Sequence, residues 1–156
     1  MAASTDRPHA LLVGSAGGHL AQLVRLAPWW RELDRSWVTF DKPDARSLLA
    51  DEDVTWAHHP TTRNIPNLVR NARLALGHLR RLRPDLVVST GAAVAVPYFV
   101  VAWALGIPTV YVEVFDRIDS PTLTGRLVRP IATAFCVQWP EQQALYRGSV
   151  VIGPLL

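Results

Sequence analysis

The architecture of the chain follows from Ala10-Leu11-Leu12-Val13-Gly14-Ser15-Ala16-Gly17-Gly18-His19-Leu20. Four apolar residues run into a glycine-rich turn, after which Leu20, Leu23, Val24 and Ala27 recur at helical spacing. The pattern reads as strand, tight turn, helix. A turn of this kind presents free backbone N–H groups at a helix N-terminus, where the partial positive charge suits phosphate or another anion. His19 at its mouth adds a side chain that exchanges a proton near neutral pH. The spacing is neither of the two familiar phosphate loops. No Lys-Ser/Thr pair closes it, and Gly14, Gly17 and Gly18 miss the dinucleotide fingerprint. A plain turn with a solvated histidine fits the same residues.

Working outward, strand-like and helix-like segments alternate. Strands are expected at Ala10–Val13, Trp37–Phe40, Val54–Ala57, Leu86–Ser89, Thr109–Val114, Phe135–Gln138 and Val150–Ile152. Helices are expected at Gly18–Ala27, Asp44–Leu49, Pro66–Leu82, Ala93–Leu105, Thr122–Ile131 and Glu141–Tyr146. Alternation with short connections predicts an α/β fold, a Rossmann-like parallel sheet with helices on both faces. Ligands of such sheets sit beyond the carboxyl ends of the strands. That edge should gather the turn after Val13, the Thr90-Gly91 turn and the Val114–Pro121 segment.

Length and composition set the frame. A chain of 156 residues suffices for one domain with a sizeable core, and 49% hydrophobic against 19% charged residues excludes disorder. All but one of the 16 basic residues are arginine, which reads as a compositional bias rather than a functional choice. The single cysteine, Cys136, sits in the apolar run Ala134–Val137, excludes an internal disulfide and fits a reducing compartment as a small buried side chain. Met1 to Pro8 is polar and lacks a signal-peptide hydrophobic stretch.

From Leu86 to Val112 there are 27 residues without a charge, enough in length for a membrane span of ~20. Gly91, Pro97, Gly106 and Pro108 cut the run into strand, buried helix and strand, so the middle segment is too short to cross a bilayer. Arg70, Arg73, Arg80 and Arg81 fall within about a third of the circumference of the Pro66–Leu82 helix at ~100° per residue, and Arg63 continues that face. Leu79, Leu82, Ala75 and Leu76 lie mostly opposite, and Leu74 intrudes on the basic side. An ordinary solvated face accounts for the cluster, and so does docking on anionic lipid. Nucleic acid is not expected, because no binding motif accompanies it.

The stretch Glu113-Val114-Phe115-Asp116-Arg117-Ile118-Asp119-Ser120-Pro121-Thr122-Leu123-Thr124-Gly125-Arg126 follows a strand and opens a helix. It offers a carboxylate at a strand's end, a guanidinium one turn on, and hydroxyls at a helix N-terminus. Such a set can bind a sugar or diphosphate. Helix capping explains Asp119, Ser120 and Thr122 without a ligand, and leaves Glu113 unexplained.

These residues together resemble the acceptor-side subunit of bipartite glycosyltransferases. That group includes the membrane-recruiting subunit of the dolichol-pathway UDP-N-acetylglucosamine transferase and bacterial polysaccharide relatives of the PssD type. The resemblance runs through Gly14–Leu20, Arg63-Asn64, Pro84-Asp85 with Ser89-Thr90-Gly91 and Pro97, Gly106-Ile107-Pro108, Glu113–Arg126 and Val137-Gln138-Trp139. The pattern is similar also to the N-terminal domain of MurG, half of a GT-B fold.

The resemblance implies that residues 1–156 form one acceptor-side domain, with the donor-binding half on a separate chain. It implies an inverting, metal-independent transfer of a hexosyl or N-acetylhexosaminyl group from a UDP-sugar, bound mainly by the partner, to a polyprenyl-diphosphate-linked acceptor. No resident cofactor is expected. His19 is the expected general base and Glu113 the reserve. Gly14, Ser15, Ala16, Gly17, Gly18, Arg63, Asn64, Thr90, Gly91, Arg117, Thr124 and Gly125 are the expected acceptor or phosphate contacts. The expected location is cytoplasmic, peripheral on the inner face of the cell membrane and held to its anionic surface. A non-catalytic scaffold that recruits and activates its partner is the alternative, and a stand-alone nucleotide-binding domain is a third reading that the incomplete fingerprint disfavours.

Overall fold

The computed structural model describes residues 7–155. Most of the polar N-terminal stretch read above lies outside the described residues. Seven strands form one wholly parallel sheet: β1 (His9–Gly14), β2 (Asp34–Phe40), β3 (Val54–Ala57), β4 (Leu86–Gly91), β5 (Thr109–Val112), β6 (Ala134–Val137) and β7 (Val150–Val151). Their spatial order is β3-β2-β1-β4-β5-β6-β7. The chain walks outward from β1 to β3, then returns to β1's other side with β4. The crevice at that reversal, between β1 and β4, is where sheets of this kind take their ligands.

The helices are α1 (Gly18–Arg25), α2 (Ala27–Trp30), α3 (Pro43–Leu48), α4 (Ile65–Leu82), α5 (Ala95–Ala104) and α6 (Leu123–Val128), with a 3-10 helix at Pro140–Ala144. Alternate residues of the central strands feed two cores, as a sheet covered on both faces requires. Leu11, Val13 and Val87 belong to one core with Ala75, Leu79, Tyr98 and Phe99 from α4 and α5. Leu12, Trp37 and Val88 belong to the other, with Leu20, Leu23 and Trp30 from α1 and α2. Coverage of the second face is uneven. Val110, Val112, Cys136 and Ile152 line an open apolar hollow there with Leu26 and Trp29.

All seven strands lie where the sequence placed them, with ends shifted by up to three residues, and three of the shifted boundaries have local reasons. The first helix breaks at Leu26 rather than running to Ala27, because Pro28 has no N–H to donate back into it and instead opens α2. β5 ends at Val112, since the Glu113 side chain takes the Val114 N–H at 3.0 Å in place of a ladder carbonyl. α6 stops at Val128, two residues before Pro130. The last expected helix is a 3-10 turn.

The 27-residue uncharged run is divided into β4, α5 and β5, and no helix among the described residues is long and apolar enough to cross a membrane. On α4, Arg70, Arg73, Arg80 and Arg81 are all exposed, as is Arg63 before it. Leu74 is turned partly into the core, whereas Leu76 is exposed beside the arginines together with Ile65, Leu68 and Val69. The inner side of α4 carries polar groups that are matched to their surroundings. Asn71 accepts from the His58 N–H at 2.8 Å and donates to the His58 carbonyl at 2.9 Å, and Asn67 donates to the Pro60 carbonyl at 2.8 Å. These bonds fix the segment that leads to Arg63.

Candidate active site

The turn after β1 works because of its glycines. Gly17 has φ +76°, a conformation that costs other residues more. Gly14 is packed so closely that a Cβ would stand 3.0 Å from Leu23. α1 begins at Gly18, so the His19 side chain projects from the first turn of a helix at the crevice between β1 and β4.

Thr90 fixes that side chain. His19 Nδ1 lies 2.9 Å from the Thr90 carbonyl oxygen, and Thr90 Oγ1 donates to the His19 carbonyl at 2.6 Å. A carbonyl only accepts, so Nδ1 of the neutral ring carries the hydrogen and Nε2 keeps its lone pair. Gly91, with φ +114°, makes room for the ring. A Cβ there would stand 3.2 Å from His19 Cε1 and Nδ1 and 2.9 Å from the Tyr111 hydroxyl. Thr90 and Gly91, expected as ligand contacts, are both buried and hold the histidine instead.

His19 lines a cavity of about 310 Å³ with Gly18, Gln22, Val114, Phe115, Asp116, Arg117 and Thr122. Arg117 is exposed at its rim, and no carboxylate pairs with its guanidinium among the described residues. The cavity therefore combines an imidazole lone pair, the Arg117 guanidinium, the Asp116 carboxylate and the Gly18 end of α1. The Gly17 N–H, expected to face an anion, donates to Asp44 Oδ2 at 2.7 Å, so a carboxylate of α3 already occupies that amide. Ser15 donates to the Ala16 carbonyl at 3.3 Å and is half-buried, as is Ala16.

Glu113 does not face the cavity. It is 0% exposed. Its carboxyl oxygens accept from Thr122 Oγ1 at 3.0 and 2.9 Å, the Val114 N–H at 3.0 Å, the Thr122 N–H at 3.4 Å, the Tyr111 hydroxyl at 3.5 Å and the Tyr146 hydroxyl. Burial above all, and then the neighbouring Glu113, push the Tyr111 and Tyr146 phenols well above their ordinary values. With every lone pair engaged and no route to solvent, Glu113 is unfit as a base. Its bonds shape the loop from β5 to α6.

Gly125 belongs to the same cluster. A Cβ on it would stand 2.5 Å from both Glu113 Oε2 and the Tyr146 hydroxyl, and its N–H donates to Thr122 Oγ1 at 2.9 Å. It permits close approach and does not reach the cavity. Thr124 is half-buried on α6 and is not among the cavity's lining residues. Arg63 and Asn64 line a separate groove, and Asn64 Oδ1 is occupied in capping α4 through the Asn67 N–H at 2.9 Å. Of the expected set, the structure brings only Gly18, His19 and Arg117 to the cavity lining.

Residues outside the expected set brace the walls. Gln142 Nε2 donates to the Val114 and Arg117 carbonyls at 2.8 and 3.2 Å, and Trp139 Nε1 donates to the Phe115 carbonyl at 2.8 Å. Gln138 Nε2 donates to the Glu113 carbonyl at 3.0 Å and to Gln22 Oε1. Gln22 was findable: it lies one helical turn from His19 and is polar on a stripe otherwise set by Leu20 and Leu23. Cys136 is half-buried, and burial raises its thiol above the ordinary value, as fits a packing role.

Comparison with known proteins bears on the family and the fold. UDP-N-acetylglucosamine transferase subunit ALG14 of Mus musculus is 27% identical, over 94% of this chain and 82% of its own length. The UDP-N-acetylglucosamine--N-acetylmuramyl-(pentapeptide) pyrophosphoryl-undecaprenol N-acetylglucosamine transferase of Moorella thermoacetica is 36% identical over 82% of this chain, which spans 38% of that enzyme. Among solved structures, MurG of Acinetobacter baumannii superposes with a TM-score of 0.76 at 19% identity, over 94% of this chain and 45% of its own. A UDP-N-acetylglucosamine 2-epimerase from Rickettsia bellii gives the same TM-score at 11% identity, over 96% of this chain and 45% of its own. Those two likenesses establish the fold, that of a GT-B N-terminal domain. Residues 56–155 match the family described as "Oligosaccharide biosynthesis protein Alg14 like", nearly two thirds of the sequence, and the chain belongs to that family.

Proposed function

We propose that this chain is the acceptor-side half of a two-chain, inverting glycosyltransferase. It moves a hexosyl or N-acetylhexosaminyl group from a UDP-sugar, held mainly by a partner chain, onto a polyprenyl-diphosphate-linked acceptor in polysaccharide biosynthesis. The observation that carries the reading is the His19 arrangement. A carbonyl on Nδ1 leaves Nε2 as the proton acceptor, inside a cavity lined also by Arg117, whose guanidinium has no carboxylate partner among the described residues. In the transfer step the acceptor hydroxyl oxygen bonds to the sugar's anomeric carbon as the bond to the UDP oxygen breaks. His19 Nε2 takes the hydroxyl proton and UDP leaves with the electron pair. Arg117 and the Gly18 end of α1, beside the Gly17 amide that Asp44 takes, bind phosphate charge.

The exposed arginines of α4, with Ile65, Leu68, Val69 and Leu76 exposed along their flank, suit a peripheral seat on the anionic inner face of the membrane. Each arginine near such a surface contributes about 1 kcal/mol.

The test begins with tagged chain purified from gently solubilised membranes of its host, with co-purifying proteins identified by mass. The expected result is a stoichiometric partner carrying the donor-binding half, and a complex that transfers sugar from UDP donors onto extracted polyprenyl-diphosphate lipid. A chain recovered alone and unable to bind such a lipid overturns the proposal. A complex whose turnover survives His19→Ala assigns this chain the scaffold role instead.

A further inference from the structure

Beside the His19 cavity lies a second depression of different chemistry. It is a groove of about 350 Å³ where α4, α5 and α6 converge, walled by Arg63, Ile65, Leu68, Ala93, Val96 and Leu127. That volume lies within the range of small-molecule sites, ~300–1,000 Å³. Its apolar residues are not shielded by the fold. Ile65 is 73% exposed and Leu127 52%, and Leu123, on the adjoining turn of α6, is 71% exposed. Single exposed aliphatics are ordinary, but a concave group of them marks a surface that binds something apolar.

Charge narrows the occupant. No acidic side chain lines the groove. Arg63 stands on its wall, exposed and without a carboxylate partner among the described residues, and Arg126 is exposed on α6. A purely apolar peptide has no use for these cations. A hydrocarbon ending in a strong anion does.

Position narrows it further. Gly91 lies against the His19 ring, and two residues on, Ala93 is a wall of the groove. Thr122 lines the His19 cavity, and α6, which it caps, contributes Leu127 to the groove. The Ala92-Ala93 turn and α6, with Thr122 at its start and Leu127 near its end, thus run from the polar cavity to the apolar trough.

We infer that the groove binds the isoprene units nearest the diphosphate of the lipid-linked acceptor, so that the chain selects its acceptor by tail as well as by head. This rests on the reading of the His19 cavity as the acceptor site. Chain length then governs affinity, because each added isoprene removes apolar surface from water.

The test is binding of the full chain to inorganic diphosphate, geranyl diphosphate and farnesyl diphosphate, kept below micelle-forming concentrations and followed by titration calorimetry. Farnesyl diphosphate should bind at least tenfold more tightly than geranyl diphosphate. In the Leu68→Ser/Leu127→Ser variant the two prenyl ligands should bind within twofold of each other, with inorganic diphosphate unchanged. Both replaced side chains are exposed, and circular dichroism with a thermal melt checks that the variant folds. Diphosphate binding that ignores chain length overturns the groove alone, whereas no binding of any of the three ligands overturns the acceptor-site reading with it. A chain-length preference that survives the double variant, while binding to phosphatidylglycerol vesicles is lost, makes the groove a bilayer contact and overturns the inference.

Discussion

The turn after β1 and the loop after β5 meet across one cavity, and their backbones are held in contrasting ways. In the first, Gly17 and Gly18 are exposed, one N–H is taken by Asp44, and the His19 ring makes one bond, to Thr90. In the second, side chains of Glu113, Gln138, Trp139 and Gln142 reach the backbone of Glu113, Val114, Phe115, Arg117 and Thr122. Both loops carry a side chain able to move a proton. The difference lies in what is left over. His19 retains a free lone pair at a cavity, whereas Glu113 has spent its oxygens on structure. A group whose bonding capacity is exhausted within the fold builds the site; a group with capacity to spare can react.

Two substitutions, one in each loop, should have opposite signatures. His19→Ala should reduce transfer by the assembled complex about 10²–10⁴-fold, the range for a general base. It removes one half-buried ring with a single hydrogen bond, so the urea-unfolding free energy should move by only about 1 kcal/mol. Glu113→Gln should do the reverse. An amide NH2 replaces one acceptor oxygen amid the hydroxyls of Tyr146, Thr122 and Tyr111 and two backbone N–H groups, so at least one buried donor loses its acceptor. The cost is about 1–3 kcal/mol per orphaned donor. Equal loss of activity and stability in both variants would erase the distinction between the loops.

Gly125→Ala tests the same cluster by steric means. The new methyl would meet Glu113 Oε2 and the Tyr146 hydroxyl at 2.5 Å, and the buried cluster has no flexible end to yield. Overpacking of this kind costs about 1–3 kcal/mol. A urea midpoint matching the wild type would mean that α6 shifts freely, and the loop after β5 is then not clamped.

Much of the fold was legible because its signals are local. Each strand is an apolar or β-branched run bounded by turn residues, and Asn64 with Pro66 announces the start of α4 within three positions. The candidate site was legible as a place, the carboxyl edge at the β1–β4 reversal, and poorly legible as a residue set. Gly91 and Gly125 looked like ligand-contacting glycines, yet each leaves space for a protein atom that is distant in sequence. Tyr146 approaches Glu113 across 33 positions, and Gln138 reaches Gln22 across 116. Asp44 takes the Gly17 N–H from 27 positions away. No spacing rule reports such partners, so composition around Glu113 suggested a ligand where the chain itself supplies the bonds.

A second histidine is enclosed where His19 is open, and its replacement should act only through pH. His78 sits on the buried face of α4, its Nδ1 3.2 Å from the Tyr98 hydroxyl and its ring edge-on to that phenol. Burial first, then the charge of Arg81, hold its pKa below the ordinary histidine value; Asp53 pulls the other way and His9 adds slightly to the lowering. An unfolded histidine takes up its proton near ~6.5. The folded chain resists that uptake until lower pH, so between the two values the unfolded state binds more protons. Stability therefore falls as pH drops below about 6.5 and is fully present above it. His78→Gln keeps a polar side chain that cannot protonate, so its urea midpoint should fall less between pH 7.5 and 5.5 than the wild type's. Identical losses in the two proteins would show that His78 is protonated at no greater cost in the fold than in the unfolded chain. The contrast between a histidine enclosed as a neutral ring and one held open at a cavity would then rest on His19 alone.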